Sequence, residues 1–129
     1  MRQSAASASK IAEALVAHPE IVEVLYPGLS SHPGHAIAAR QMDGGFGPLL
    51  SFRARGGEAR ARRIAGALDV FHQATSLGGV ESLIEHRASV EGPGSTVPDD
   101  LLRLSVGIED PSDLIEDLRR ALDVTSTQI

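Results

Sequence analysis

Cysteine is absent from this chain of 129 residues, and so is tryptophan. Without thiols there is no disulfide, no thiolate nucleophile and no cysteine-rich zinc site, and thiol usage gives no reading of the redox compartment. Aromatic side chains are limited to Tyr26, Phe46, Phe52 and Phe71, too few for a base-stacking platform. Basic excess is missing as well. Twelve Lys and Arg against 17 Asp and Glu leave a formal charge of −5, so no surplus of cations exists to displace counterions from nucleic-acid phosphates. Nowhere do about 18 apolar residues run together, and Met1 to Lys10 has no apolar stretch after Arg2; neither a membrane span nor a secretory leader is expected. The absences together predict a mildly acidic, cytoplasmic single domain that binds neither nucleic acid nor membrane.

What is present has clear periodicity. Ile11, Ala14, Leu15 and His18 fall at helical spacing and Pro19 closes the run, which predicts a first helix over residues 4–17. Val22, Val24 and Tyr26 alternate before the Pro27-Gly28 turn, as a short strand would. Residues 33–42 read as a short helix entered at Pro33. Pro48 to Arg55 sets Leu50, Phe52 and Ala54 on one face and Leu49, Ser51 and Arg53 on the other, as expected of a central or near-central strand. Ala61, Ile64, Ala65 and Leu68 form the apolar stripe of a second long helix, with Arg60, Arg62 and Arg63 outside it. Val70 to Thr75 and Leu101 to Val106 complete the expected strands, with a loop between them through Gly92-Pro93-Gly94 and Pro98. Asp110 as N-cap and Pro111 at the first helical position open a last helix buried through Leu114, Ile115, Leu118, Ala121 and Leu122. Glu116 and Arg120 stand four apart for an ion pair. The order predicts an α/β two-layer sandwich.

Arg103 is the conspicuous residue, because a guanidinium inside an otherwise apolar strand needs a partner wherever that face is covered. Its planar fork of donors matches a carboxylate. Periodicity alone equally allows a solvated arginine on an exposed face. His32 and His35, three apart, lack a third ligand at sensible spacing, so no metal is expected. Glu81, Glu85 and His86 read as capping and surface pairing, and the glycines at 44, 45 and 47 are not followed by the Lys-Ser/Thr of a phosphate loop.

Two longer stretches say more. Ser76-Leu77-Gly78-Gly79-Val80-Glu81-Ser82-Leu83-Ile84 and Leu101-Leu102-Arg103-Leu104-Ser105-Val106-Gly107-Ile108-Glu109-Asp110 resemble the C-terminal signature of the trans-sulfuration family, the pyridoxal-phosphate enzymes of cysteine and methionine metabolism. Leu25-Tyr26-Pro27-Gly28-Leu29, Ser31-His32-Pro33, Arg40-Gln41-Met42 and Leu50-Ser51-Phe52 resemble the same family in the same order, so the likeness extends over about residues 4–123.

The resemblance implies the small C-terminal domain of a fold-type I pyridoxal-phosphate enzyme, mostly antiparallel with helices on one side, and residues 1–129 as one substrate-binding domain whose large cofactor-binding domain is absent. It implies that Arg103 binds the substrate α-carboxylate, that Ser76 lies beside cofactor and carboxylate, and that the parent is a homo-oligomer. Its chemistry would be β- or γ-elimination or replacement on sulfur amino acids or O-acyl-homoserine. Lys10 is the only lysine, and its setting does not match the family's cofactor lysine, so this chain alone is expected neither to bind pyridoxal phosphate covalently nor to be active. Its partners would be a cofactor-binding domain and an amino-acid substrate. Thr75 occupies a position where family members differ, and Arg87 to Ser95 departs from the Pro and longer segment of many relatives, so substrate contacts there do not carry over. The alternative is a stand-alone, non-catalytic binding or partner-subunit module, for which Met1 at the head of a self-contained domain would be the mark.

Overall fold

Alternation along two strands sets the architecture. In the computed structural model, which describes residues 2–29, 34–37, 46–73, 81–92, 94 and 96–126, β2 (Leu49–Ala54) buries Leu50, Phe52 and Ala54, and β5 (Leu101–Ser105) buries Leu102 and Leu104 on the same side. The two strands pair antiparallel with Phe52 opposite Leu102. Around them a five-stranded sheet takes the order β1-β2-β5-β4-β3, with β1 (Ile21–Leu25), β3 (His72–Gln73) and β4 (Leu83–His86). All pairings are antiparallel except β3 with β4. The expected near-central strand is β2, and β5 is central.

Three long helices cover one face: α1 (Arg2–Val16), α2 (Gly57–Ala67) and α4 (Pro111–Ser126). Their buried residues Ala8, Ile11, Ala12, Leu15, Ile64, Leu114, Leu118 and Leu122 share one core with Leu50, Phe52, Ile84, Leu102 and Leu104. Each large side chain there contributes about 1.5–3 kcal/mol by leaving water. Helices on one side of a mixed sheet make the α/β two-layer sandwich that was expected. A short helix, α3 (Arg87–Glu91), follows β4 directly.

Several details depart from the sequence reading. The buried stripe of α1 runs through Ala5, Ala8, Ile11, Ala12 and Leu15, while Ala14 and His18 are partly exposed. Small residues carry that face because they let the helix lie close to the sheet. A bulge between Ile21 and Glu23 takes Val22 out of its expected alternation and leaves it 54% exposed. Strand β4 was not foreseen at all, because all four of its residues are buried and it shows no period of two. The strand expected over residues 70–75 is confined to His72–Gln73 within the described residues, and of the helix expected over residues 33–42 the described part is helical at 35–37.

Local chemistry fixes the joints. The amide of Ser112 donates to Asp110 Oδ1 at 2.8 Å ahead of α4, as expected of that N-cap. Gly56 turns β2 into α2 with φ of 106°, and a Cβ there would lie 2.7 Å from Arg60 Cδ. Only glycine satisfies both the left-handed backbone and that close approach. Arg120 meets Asp117 at 3.0 Å and Asp69 at 3.3 Å in place of the expected Glu116.

Candidate functional site

Leu102 and Leu104 point into the helical core, so Arg103 between them projects from the opposite face of the central strand. The register sets Ser51 of β2 on one side of it and Glu85 of β4 on the other. Direct cross-strand neighbours have Cβ atoms about 4.5–5.5 Å apart, and Arg103 Nη2 forms an ion pair with Glu85 Oε1. The same carboxylate oxygen accepts from Arg87 Nη1 at 2.7 Å. Glu85 Oε2 is buried with no hydrogen-bond partner among the described residues.

Burial makes this arrangement consequential. The Glu85 side chain is 5% exposed and that of Arg103 22%, so their interaction is less screened than a surface pair. Two guanidinium groups thus converge on one carboxylate oxygen. The earlier assignment of Glu85 to surface pairing is therefore corrected: it is buried, and its partner is the arginine at the centre of the sheet. The sequence signal was a glutamate among Leu83, Ile84 and His86.

A neighbouring pair shows the contrast. Arg53 on β2 donates to Asp100 at 2.7 Å and lies 3.6 Å from Glu23, and Asp100 and then Glu23 raise its pKa above the ordinary arginine value. There two carboxylates meet one cation.

Ser76, the other predicted site residue, lies outside the described residues, as do Thr75 and His32. The described flanks of that segment are tied down: the amide of His72 donates to Ser82 O at 3.0 Å. Ser82 carries a network that sequence reasoning missed. Its hydroxyl donates to Glu109 Oε1 at 2.7 Å and accepts from the Gly107 amide at 2.9 Å, while its own amide donates to Glu109 Oε2 at 3.1 Å. Burial pushes the Glu109 carboxyl upward, but the Ser82 hydroxyl and amide, with further help from its own backbone amide and from His72, bring it below the usual range. The bonds join the two signature stretches to each other. His35, once weighed as a metal ligand, stacks on Phe46 with its Nδ1 2.7 Å from Pro27 O, and no group able to hold a metal ion is present among the described residues. No helix of the described residues is long and apolar enough to cross a membrane.

Comparison with known proteins follows this geometry. The profile of the family described as Cys/Met metabolism PLP-dependent enzyme matches residues 1–123. Cystathionine gamma-synthase of Mycobacterium tuberculosis is 54% identical over 127 residues, which cover 95% of this chain and 32% of that protein. Cystathionine gamma-lyase of Saccharomyces cerevisiae is 46% identical over 132 residues, covering 95% of this chain and 34% of that protein. Among solved structures, cystathionine gamma synthase from Xanthomonas oryzae in complex with aminoacrylate and cysteine superposes with a TM-score of 0.92 at 44% identity, over 100% of this chain and 35% of that one. A Campylobacter jejuni structure described as an O-acetylhomoserine (thiol)-lyase and holding pyridoxyl-lysine monophosphate superposes with a TM-score of 0.83 at 34% identity, over 94% of this chain and 28% of that one. The chain thus spans about a third of the length of the relatives it matches.

Proposed function

The chain belongs to the Cys/Met metabolism family of pyridoxal-phosphate-dependent enzymes, and from that premise we propose that it is the C-terminal substrate-binding domain of a trans-sulfuration enzyme and that Arg103 holds the substrate α-carboxylate. One observation carries the reading: a guanidinium on the central strand, on the sheet face opposite the three long helices, whose one carboxylate partner among the described residues is shared with Arg87. A planar donor fork with free valence is suited to a carboxylate. The named chemistries of the relatives support a substrate that is an amino acid reacting at its γ-carbon by elimination or replacement. The enzyme would work in the cytoplasm as a homo-oligomer.

Pyridoxal phosphate, when bound, supplies an electron sink for such reactions. The residues described here do not make up its site. Lys10 is the only lysine; it is exposed on α1, whose buried residues pack on the sheet face opposite Arg103. The cofactor groups would come from a partner domain, and the share of this chain is orientation. A carboxylate held bidentately at a fixed arginine loses its rotational freedom, and that sets which bond at the α-carbon faces the reacting group. Ser76 would help to hold the same carboxylate.

The test is complementation. The chain is mixed with a separately expressed cofactor domain of a relative, complex formation is checked by gel filtration, and turnover of an O-acyl-homoserine is measured. Restored turnover that falls by about 100-fold or more with Arg103→Ala, the loss of two charge-assisted hydrogen bonds, is the expected result. A demonstrable complex without turnover would instead favour the non-catalytic partner module.

A further inference from the structure

Accepting Arg103 as the carboxylate anchor, we infer that Glu85 is its positioning residue and that Arg87 sets how firmly Glu85 holds it. The inference rests on the proposed role of Arg103 and deepens it. The arrangement is costly for stability alone. Glu85 is buried, its Oε2 has no partner among the described residues, and both arginines converge on Oε1. A buried carboxylate left half satisfied is worse for folding than an apolar side chain of similar shape, and Leu83 and Ile84 before it on β4 are buried hydrophobes. Its advantage is geometric. Glu85 sits directly across the ladder from Arg103, so a short side chain on a rigid strand fixes one end of the guanidinium. It takes Nη2, leaving other N–H groups of the fork for an incoming carboxylate.

Arg87 completes the device. It stands two residues after Glu85, and its Nη1 draws on the same oxygen at 2.7 Å. Glu85 therefore cannot saturate Arg103, because half of its bonding oxygen is committed elsewhere. Without Arg87, Glu85 would turn wholly to Arg103 and compete with the substrate; without Glu85, Arg103 would keep its charge and lose its aim.

The first readout uses the chain as it stands. In a 15N-labelled sample, with the Arg103 side chain assigned through Arg103→Lys, restricted rotation of its guanidinium gives resolved Nη resonances. Glu85→Gln, which retains shape and one acceptor, is expected to average them, and Arg87→Gln to sharpen them. The second readout is turnover in the complex with a cofactor domain, comparing a substrate with its α-carboxamide. Glu85→Gln is expected to lower kcat/KM for the acid by about 10–100-fold, as a lost orienting partner does, and to leave the amide unchanged. Arg87→Gln is expected to raise KM for the acid a few-fold. Should Arg103→Ala keep the preference for acid over amide, the anchor reading itself fails. Should Arg103→Ala abolish that preference while Glu85→Gln leaves both resonances and rate intact, Glu85 is no positioning residue and this inference alone is overturned. Tighter substrate binding in Glu85→Gln would equally overturn it, marking Glu85 as a competitor. If Glu85→Gln does not fold, Arg87→Gln carries the test, since unchanged resonances and KM there contradict the shared carboxylate.

Discussion

A buried and a half-buried arginine lie on opposite sides of this sheet, and their donors are engaged in opposite ways. Arg60, on the helical side, is 5% exposed and saturated. Its Nη1 reaches Arg55 O at 3.0 Å and Glu20 at 2.9 Å, its Nη2 reaches Leu122 O at 3.0 Å, and its Nε reaches Thr125 Oγ1 at 3.3 Å. These partners belong to the end of β2, the approach to β1 and the last turns of α4, so one side chain ties three parts of the chain together. Arg103, on the face opposite the three long helices, has one carboxylate among the described residues, which it shares with Arg87. A buried charge whose donors all meet fixed partners is a structural device; one with unfilled donors beside a half-satisfied carboxylate has room for the ligand proposed above.

The comparison breaks most sharply on exchange of consequences. Arg60→Ala is expected to cost about 3 kcal/mol in urea unfolding, because it removes a donor from the Leu122 and Arg55 carbonyls and the cation from a partly buried carboxylate. Arg60→Lys should recover little of this, since a single ammonium cannot span the separate partners. Arg103→Ala should cost less, about 1–2 kcal/mol of stability, because Arg87 remains on the buried Glu85 carboxylate, while abolishing carboxylate recognition. Equal destabilisation by the two alanine variants would erase the distinction between them.

A second buried charge sharpens it from the acidic side. Asp117 of α4 accepts from the amides of Asp69, Val70 and Phe71 at 2.9, 2.8 and 3.2 Å and from Arg120 at 3.0 Å. Burial pushes its carboxyl upward, but these donors together bring it below the ordinary aspartate range. Because its pKa is lower folded than unfolded, the folded chain binds fewer protons there. The stability it brings is complete above about pH 4 and is lost as pH falls through the lowered native value. Asp117→Asn is expected to cost about 2 kcal/mol at pH 7. The gap between variant and parent should shrink in unfolding measured near pH 3, and a gap that stays constant would show that the carboxylate charge is not what holds the 69–71 segment.

How far the sequence disclosed these roles follows from where the partners sit. The last helix was legible from Asp110 and Pro111 because capping is local chemistry, and β2 and β5 were legible because only one face of each enters the helical core. Strand β4 was not, since burial on both faces removes the period of two. Its loss hid the site as well: Arg103 stood out as a charge in an apolar run, while Glu85, its cross-strand partner, lay on an element that alternation does not show. Arg60 was assigned to the polar side of α2, because nothing local indicates that Leu122 and Thr125 lie above it. Local signals gave the elements, and pairings distant in sequence decide which charged residues matter.

The smallest expected effect probes such a distant pairing. Ser82 and Glu109 come from the two signature stretches, and their bonds, with the Gly107 amide on the Ser82 hydroxyl, hold the entry to β4 against the exit of β5. That junction fixes the strand carrying Glu85 beside the strand carrying Arg103. Ser82→Ala removes the hydroxyl and leaves the Gly107 amide unpaired at about 1–2 kcal/mol. Glu109→Gln should cost a similar amount, and the double variant should be milder than the sum, with a coupling energy of about 1 kcal/mol, because both act on one network. If the two effects simply add, the signature stretches are held together by the strand ladder alone. A coupling of the expected size, accompanied by broadened Arg103 resonances in each single variant, would instead mean that the aim of this arginine is set in part at the far end of its strands.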